Sequence, residues 1–122
     1  MKKILIVEDE KETAYFLKDR LEKNEFKVGI ALDGVSALKG IKEFEPDIII
    51  LDIVLPQLDG LEVLKWVRQN KPKISVIVTT IKKDLEDFKK GYSLEADYYI
   101  TKPYSLEEVL KGVNIMVSLK EE

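Results

Sequence analysis

Residues 48–52 read Ile48-Ile49-Ile50-Leu51-Asp52, four consecutive branched apolar side chains that end on a carboxylate. So short an unbroken apolar run, with Pro46 just before it, reads as a strand buried on both faces. The same shape recurs along the chain. Ile4-Leu5-Ile6-Val7 runs into Glu8-Asp9, Val76-Ile77-Val78 into Thr79-Thr80, and Tyr98-Tyr99-Ile100 into Thr101-Lys102-Pro103.

Between these runs the apolar spacing changes to that of helices. Ala14, Leu17 and Leu21 fall at i, i+3 and i+7, and Leu85, Phe88 and Tyr92 share one face of a helix expected over Asp84 to Leu94. Phe26, Val28 and Ile30 alternate with Lys27 and Gly29 as a second strand. Asp33-Gly34 is turn chemistry, and Val35 to Phe44 reads as a helix stopped before Pro46. Leu55 to Gly60 reads as loop, Leu61 to Gln69 as helix, and Lys71-Pro72-Lys73 as a break before the strand Ser75 to Val78. Ser105 with Glu108 three residues later is a capping box opening the last helix. Five strands alternating with five helices, most strands apolar throughout, predict an α/β fold with a parallel sheet covered on both faces.

The chain has 122 residues, 20 Lys+Arg against 23 Asp+Glu, and neither histidine nor cysteine. At about 150 residues per domain this is one domain over residues 1–122, large enough to bury a real core. Lacking cysteine, it has no disulfide, thiolate nucleophile or Cys-ligated metal site. Lacking histidine, it has no Ser-His or Cys-His pair, no HExxH zinc site and no imidazole phosphocarrier. Any chemistry must rest on carboxylates, lysines and hydroxyls. A net charge of −3 argues against direct contact with nucleic acid. Apolar runs of a few residues do not span a membrane, and Met1-Lys2-Lys3 leads into a strand rather than a signal peptide. A soluble cytoplasmic protein is the expectation.

In a sheet of this kind ligands gather at the carboxyl ends of the strands. Those ends carry Glu8, Asp9 and Asp52, the hydroxyls of Thr79 and Thr80, and the ammonium of Lys102. Each has an ordinary explanation when taken singly: acids before a helix cap it or favour its dipole, and an Asp after a strand turns the chain. Four strands ending in complementary polar groups do not follow from those explanations. Three acids brought together repel one another and raise their pKa values, a conflict that a hard, oxygen-seeking cation such as Mg²⁺ resolves.

Over essentially its whole length the sequence resembles the receiver domains of bacterial two-component response regulators. The resemblance is carried by Ile4-Leu5-Ile6-Val7-Glu8-Asp9-Glu10, Leu51-Asp52-Ile53-Val54-Leu55-Pro56 with Asp59-Gly60, Val78-Thr79-Thr80, and Ala96-Asp97-Tyr98-Tyr99-Ile100-Thr101-Lys102-Pro103-Tyr104. It implies a flavodoxin-like, doubly wound five-stranded sheet in the order 2-1-3-4-5 with five helices. It also implies that Asp52 is the phosphoacceptor toward a phosphohistidine on a sensor histidine kinase. Mg²⁺ would be held by Asp9, Asp52 and the backbone carbonyl of Val54, with Glu8 acting mostly through water. Lys102 and Thr80 would each engage a phosphoryl oxygen, and Lys102-Pro103 would be a cis peptide. Thr80 and Tyr99 would form the switch that passes phosphorylation to the surface of helix 4, strand 5 and helix 5. That surface would contact an output domain or downstream protein, or a second copy of the phosphorylated chain.

Three positions depart from the family pattern. Ile81 stands where a small residue is usual, so its bulk is expected to lie over the acceptor and slow both small phosphodonors and attacking water. Glu95 replaces a common glycine, and Tyr98 a common acid. On the last helix Ile115 and Leu119 fall outside the apolar face of Leu106, Val109, Leu110, Val113, Met116 and Val117, and are expected to extend an association surface. Competing readings have weaker support. Metal-dependent aspartyl-phosphate phosphatases carry a second acid two residues after the nucleophile, where this chain has Val54; nucleotide binders need GxGxxG or GxxxxGKS/T, which is absent. A receiver-like scaffold that works without phosphorylation is favoured only by Ile81.

Overall fold

The computed structural model describes residues 1–84, 86 and 96–121. Its elements run β1 (Lys3–Val7), α1 (Lys11–Lys23), β2 (Lys27–Ala31), α2 (Gly34–Phe44), β3 (Ile48–Asp52), α3 (Gly60–Asn70), β4 (Ser75–Ile81), β5 (Tyr98–Lys102) and a C-terminal helix (Leu106–Lys120). All strand pairs are parallel and the sheet order is β2-β1-β3-β4-β5. Residues 82–84 are helical, but most of the helix expected over Asp84 to Leu94, together with Glu95, lies outside the described residues.

Period-two alternation within the apolar strands builds two cores. Ile4, Ile6, Ile48, Ile50, Ile77 and Ile100 face α1 and the C-terminal helix, which contribute Ala14, Leu17, Leu21, Val109, Val113 and Met116. Leu5, Val7, Ile49, Leu51, Val76 and Val78 face α2 and α3, which contribute Ala37, Ile41, Val63, Leu64 and Val67. All these side chains are buried, so helices cover the central strands on both faces. After β1 the chain steps outward to β2, then crosses back to β3 on the other side. That reversal opens a crevice between the carboxyl ends of β1 and β3, where Glu8 and Asp52 stand.

Local chemistry sets the element boundaries. The Asp33 carboxylate accepts from Ser36 N at 2.7 Å, so the expected turn is the N-cap of α2, and Gly34 is that helix's first residue. Asp59 caps α3 in the same way, accepting from Leu61 N at 3.1 Å, and α3 begins one residue earlier than expected, at Gly60. The Ser105–Glu108 capping box is present. Three strands run past their apolar stretches to include Asp52, Thr79 to Ile81, and Thr101 with Lys102. Parallel pairing is made by the backbone and continues through Asp52↔Thr79, Thr80↔Thr101 and Ile81↔Lys102, whatever the side chains.

Close contacts brace the sheet at both of its ends. A Cβ on Gly60 would lie 2.6 Å from the Ile53 carbonyl oxygen and also against the Asp52 carbonyl, so only glycine lets α3 start this close to β3. Beyond the far edge, one Asp97 carboxylate oxygen accepts from Val76 N at 2.8 Å and from the Arg68 guanidinium at 2.6 Å, tying the entry of β5 to β4 and α3. Tyr98 packs its ring on Gly112 of the C-terminal helix, where a Cβ would meet ring carbons at 3.0 Å. Among the described residues no helix is long and apolar enough to cross a membrane.

Candidate functional site

Asp52 ends β3 and Glu8-Asp9 follow β1, so the central pair of strands delivers three carboxylates to one point. One oxygen from each lies within 4.8 Å of the others. Glu8 and Asp52 are each 5% exposed, whereas Asp9 is open to solvent. Lys102, two strands away at the end of β5, reaches across β4. Its Nζ donates to Asp52 Oδ2 at 2.8 Å and to Glu8 Oε1 at 3.3 Å. Asp52 Oδ1 accepts from Val54 N at 3.0 Å. The Asp52 carboxylate is therefore held by an ammonium on one oxygen and a backbone amide on the other.

One ammonium does not balance three acids. Burial, and then hydrogen bonding to Asp52, push the Glu8 carboxyl up to about 7, against the opposing pull of Lys102. Burial alone would lower Lys102, but hydrogen bonding and charge from Asp52 and Glu8 outweigh it and raise the ammonium to about 12. The Tyr104 phenol is raised to about 12 by burial and by the nearby negative charge of Glu8. Two buried oxygens, Glu8 Oε2 and Thr80 Oγ1, have no hydrogen-bond partner among the described residues. Clustered carboxylate oxygens with an uncompensated charge and a buried oxygen to spare fit a hard divalent cation such as Mg²⁺.

A cavity of about 280 Å³ opens on this centre, lined by Asp9, Asp52, Val54, Thr80, Ile81, Asp84 and Lys102. A second, of about 450 Å³, is lined by Glu8, Glu10, Thr13, Ile81, Lys102, Pro103 and Tyr104. Ile81 and Lys102 are common to both, and Ile81 is 49% exposed. Of the residues singled out from sequence, Glu8, Asp9, Asp52, Val54, Thr80, Ile81 and Lys102 come together here. The Lys102-Pro103 peptide is cis. Tyr99 pairs with Val78 in the ladder and packs, half-buried, on the α2–α3 core rather than lining either cavity. Ile115 is half-buried against the α1-side core, and Leu119 is 56% exposed on the same helix. Asp84 was not legible as a site residue. Its only signal is a position three residues after Ile81, which matters only once a helical turn starts at 82.

The family model for the response regulator receiver domain matches residues 4–114. Among curated proteins, the alkaline phosphatase synthesis transcriptional regulatory protein PhoP of Bacillus subtilis is 41% identical over 120 residues, covering 98% of this chain and 50% of its own length. The response regulator ArlR of Staphylococcus saprophyticus is 39% identical over 117 residues, covering 96% and 53%. The chain thus spans about half the length of these relatives. Among solved structures, the Francisella response regulator 1452 receiver domain aligns with a TM-score of 0.88 and 32% identity, over 98% of this chain and 99% of the other. The response regulator TrrA of Thermotoga maritima, in complex with Mg²⁺-BeF, aligns with a TM-score of 0.84 and 31% identity, over 95% and 99%.

The raised Glu8 carboxyl carries a pH prediction. In the folded, cation-free protein Glu8 takes up its proton near pH 7, but in the unfolded chain only near its ordinary 4.5. The folded state therefore binds more protons over that window, and stability falls as pH rises through it. The urea midpoint in EDTA is expected to drop between pH 5.5 and 8 in the native protein and to change less in Glu8→Gln. Saturating Mg²⁺ should stabilise most at pH 8, where the acids are charged. An identical pH response in Glu8→Gln would remove Glu8 as the cause.

Proposed function

The chain belongs to the response regulator receiver family, and from that premise we propose that it receives a phosphoryl group on Asp52 from a sensor histidine kinase and signals through the resulting change of surface. Family membership places it in phosphorylation-dependent two-component signalling. The observation that carries the finer reading is Asp52 itself, a buried carboxylate at a cavity, held by Lys102 at 2.8 Å and the Val54 amide at 3.0 Å, beside the unpartnered hydroxyl of Thr80.

Asp52 is the nucleophile. One of its oxygens forms a bond to phosphorus as the phosphorus–nitrogen bond of the partner's phosphohistidine breaks, with the electron pair returning to the imidazole. The missing histidine of this chain fits that division of labour. The ammonium of Lys102, bound to Asp52 in the resting site, is placed to pair with a phosphoryl oxygen, and the Thr80 hydroxyl donates to another. Asp9, Asp52 and the Val54 carbonyl would hold Mg²⁺, with Glu8 engaged through water. When bound, the ion offsets the charge of the transferring phosphoryl group. The Mg²⁺-BeF complex of TrrA supports this assignment by likeness.

The switch follows from the Thr80 bond. As Thr80 turns toward the phosphoryl group, it vacates space near Tyr99, whose inward movement changes the face made by the fourth expected helix, β5 and the C-terminal helix. An output domain, a downstream protein or a second copy of the chain reads that face, in the cytoplasm and without direct contact of this domain with nucleic acid or membrane. The chain catalyses only its own phosphorylation and a slow self-hydrolysis.

Incubating the chain with acetyl phosphate or beryllofluoride and Mg²⁺ tests the acceptor. Full modification is expected in native protein and essentially none in Asp52→Asn; equal modification of the two would end the assignment. Ile81, half exposed at the mouth of both cavities, slows water and small donors, so Ile81→Ala should dephosphorylate several-fold faster. Equal lifetimes would refute that role. For association, Leu119 is the cleaner probe because Ile115 also packs on the core. Leu119→Glu should weaken dimerisation of the beryllofluoride form in sedimentation, and unchanged dimerisation would count against a C-terminal helix interface.

A further inference from the structure

Three of the acids near the acceptor, Glu8, Asp9 and Asp52, form the cation cluster. A fourth does not. Asp84 lines the same cavity of about 280 Å³ as Asp52, Thr80 and Lys102, yet stands outside that cluster. It lies in the helical turn 82–84 that follows β4 directly, and with Ile81, the last residue of that strand, it lines this cavity. Among the described residues no ion pair engages its carboxylate, and the ammonium in the cavity is already shared by Asp52 and Glu8.

A phosphoryl group on Asp52 would repel this carboxylate, so Asp84 does nothing to stabilise the phosphorylated state directly. A water between the two is different. It donates a hydrogen bond to Asp84 and turns a lone pair toward phosphorus. With a water's share of liquid volume at about 30 Å³, the cavity has room for a phosphoryl group and more than one water. Val54 and Ile81 offer that water only apolar side-chain surface, while the Thr80 hydroxyl, buried and unpartnered in the same cavity, is committed to the phosphoryl group.

We propose that Asp84 orients the water that hydrolyses phosphorylated Asp52 and accepts that water's proton, so that it shortens the lifetime of the signal. In the step, the water oxygen forms a bond to phosphorus as the bond between phosphorus and the Asp52 oxygen breaks. The electron pair returns to the Asp52 carboxylate, and the proton taken by Asp84 passes to the released phosphate. The inference rests on Asp52 being the acceptor.

The test phosphorylates the chain with acetyl phosphate and Mg²⁺, removes the donor, and follows phosphoaspartate loss in native, Asp84→Asn and Asp84→Glu proteins. Asp84→Asn is expected to lose phosphate at least about tenfold more slowly, the low end of general-base effects. Its rate of phosphorylation should change far less, and Asp84→Glu should recover part of the hydrolysis rate. Lifetimes of native and Asp84→Asn within threefold of one another would overturn the proposal. So would equal slowing of phosphorylation and hydrolysis, which marks a general distortion of the cavity. Failure of native protein to form any phosphoaspartate would instead defeat the acceptor reading, and this proposal with it.

Discussion

The site turns on one ammonium. Lys102 Nζ spans from β5 to β3 and β1, touching Asp52 at 2.8 Å and Glu8 at 3.3 Å, and it is the cation that lets two buried carboxylates share one end of the sheet. Its charge offsets only part of theirs. Burial above all, and then the hydrogen bond with Asp52, keep the Glu8 carboxyl raised to about 7 even with that partner. Such a centre is stable enough to fold and still favours anything that brings positive charge and oxygen coordination. The proposed function would use that combination, with cation and phosphoryl group together displacing the resting contacts.

The framework behind the ammonium is rigid for ordinary reasons. The apolar side chains of the central strands are buried on both faces, so β1, β3 and β4 cannot slip without exposing a row of isoleucines and valines. The Arg68–Asp97–Val76 tie anchors the entry of β5, and the close approach of Gly60 anchors the exit of β3. Between those anchors lie Thr80 and Tyr99, the groups that the proposed switch would move. Thr80 carries a buried hydroxyl that the resting protein leaves without a partner among the described residues. A buried unpaired hydroxyl costs about 1–3 kcal/mol. On the proposed function, an arriving phosphoryl oxygen would relieve that cost and so couple modification to the position of β4.

Ile81 shows how a single departure alters such a site without changing its chemistry. It pairs with Lys102 in the ladder and sits at the border of two cavities, beside the gathered acids, hydroxyl and ammonium. The effect proposed for it would therefore fall on access and lifetime rather than on whether Asp52 can react. Asp84, which lines the same cavity, is proposed to act on the same quantity in the opposite sense.

Much of this was legible in the residues alone. Unbroken apolar runs such as Ile48 to Leu51 determine strands buried on both faces, and the polar residues that end them determine which side chains reach the working edge, because a parallel sheet aligns its carboxyl ends. The absence of histidine and cysteine likewise confines the chemistry to carboxylate, hydroxyl and ammonium. What the pattern did not contain was distance. Whether Lys102 would sit in water or bridge Asp52 and Glu8 depends on crossing β4, and whether Ile115 is surface or core depends on how the last helix rolls against β5. Strand ends were misjudged at Asp52, Ile81 and Lys102 because backbone pairing continues past the apolar side chains. Asp84 entered the cavity only through a helical turn beginning directly after β4. Sequence periodicity determines which face a residue occupies; only the packed structure decides how near two faces come, and charge interactions depend on that separation.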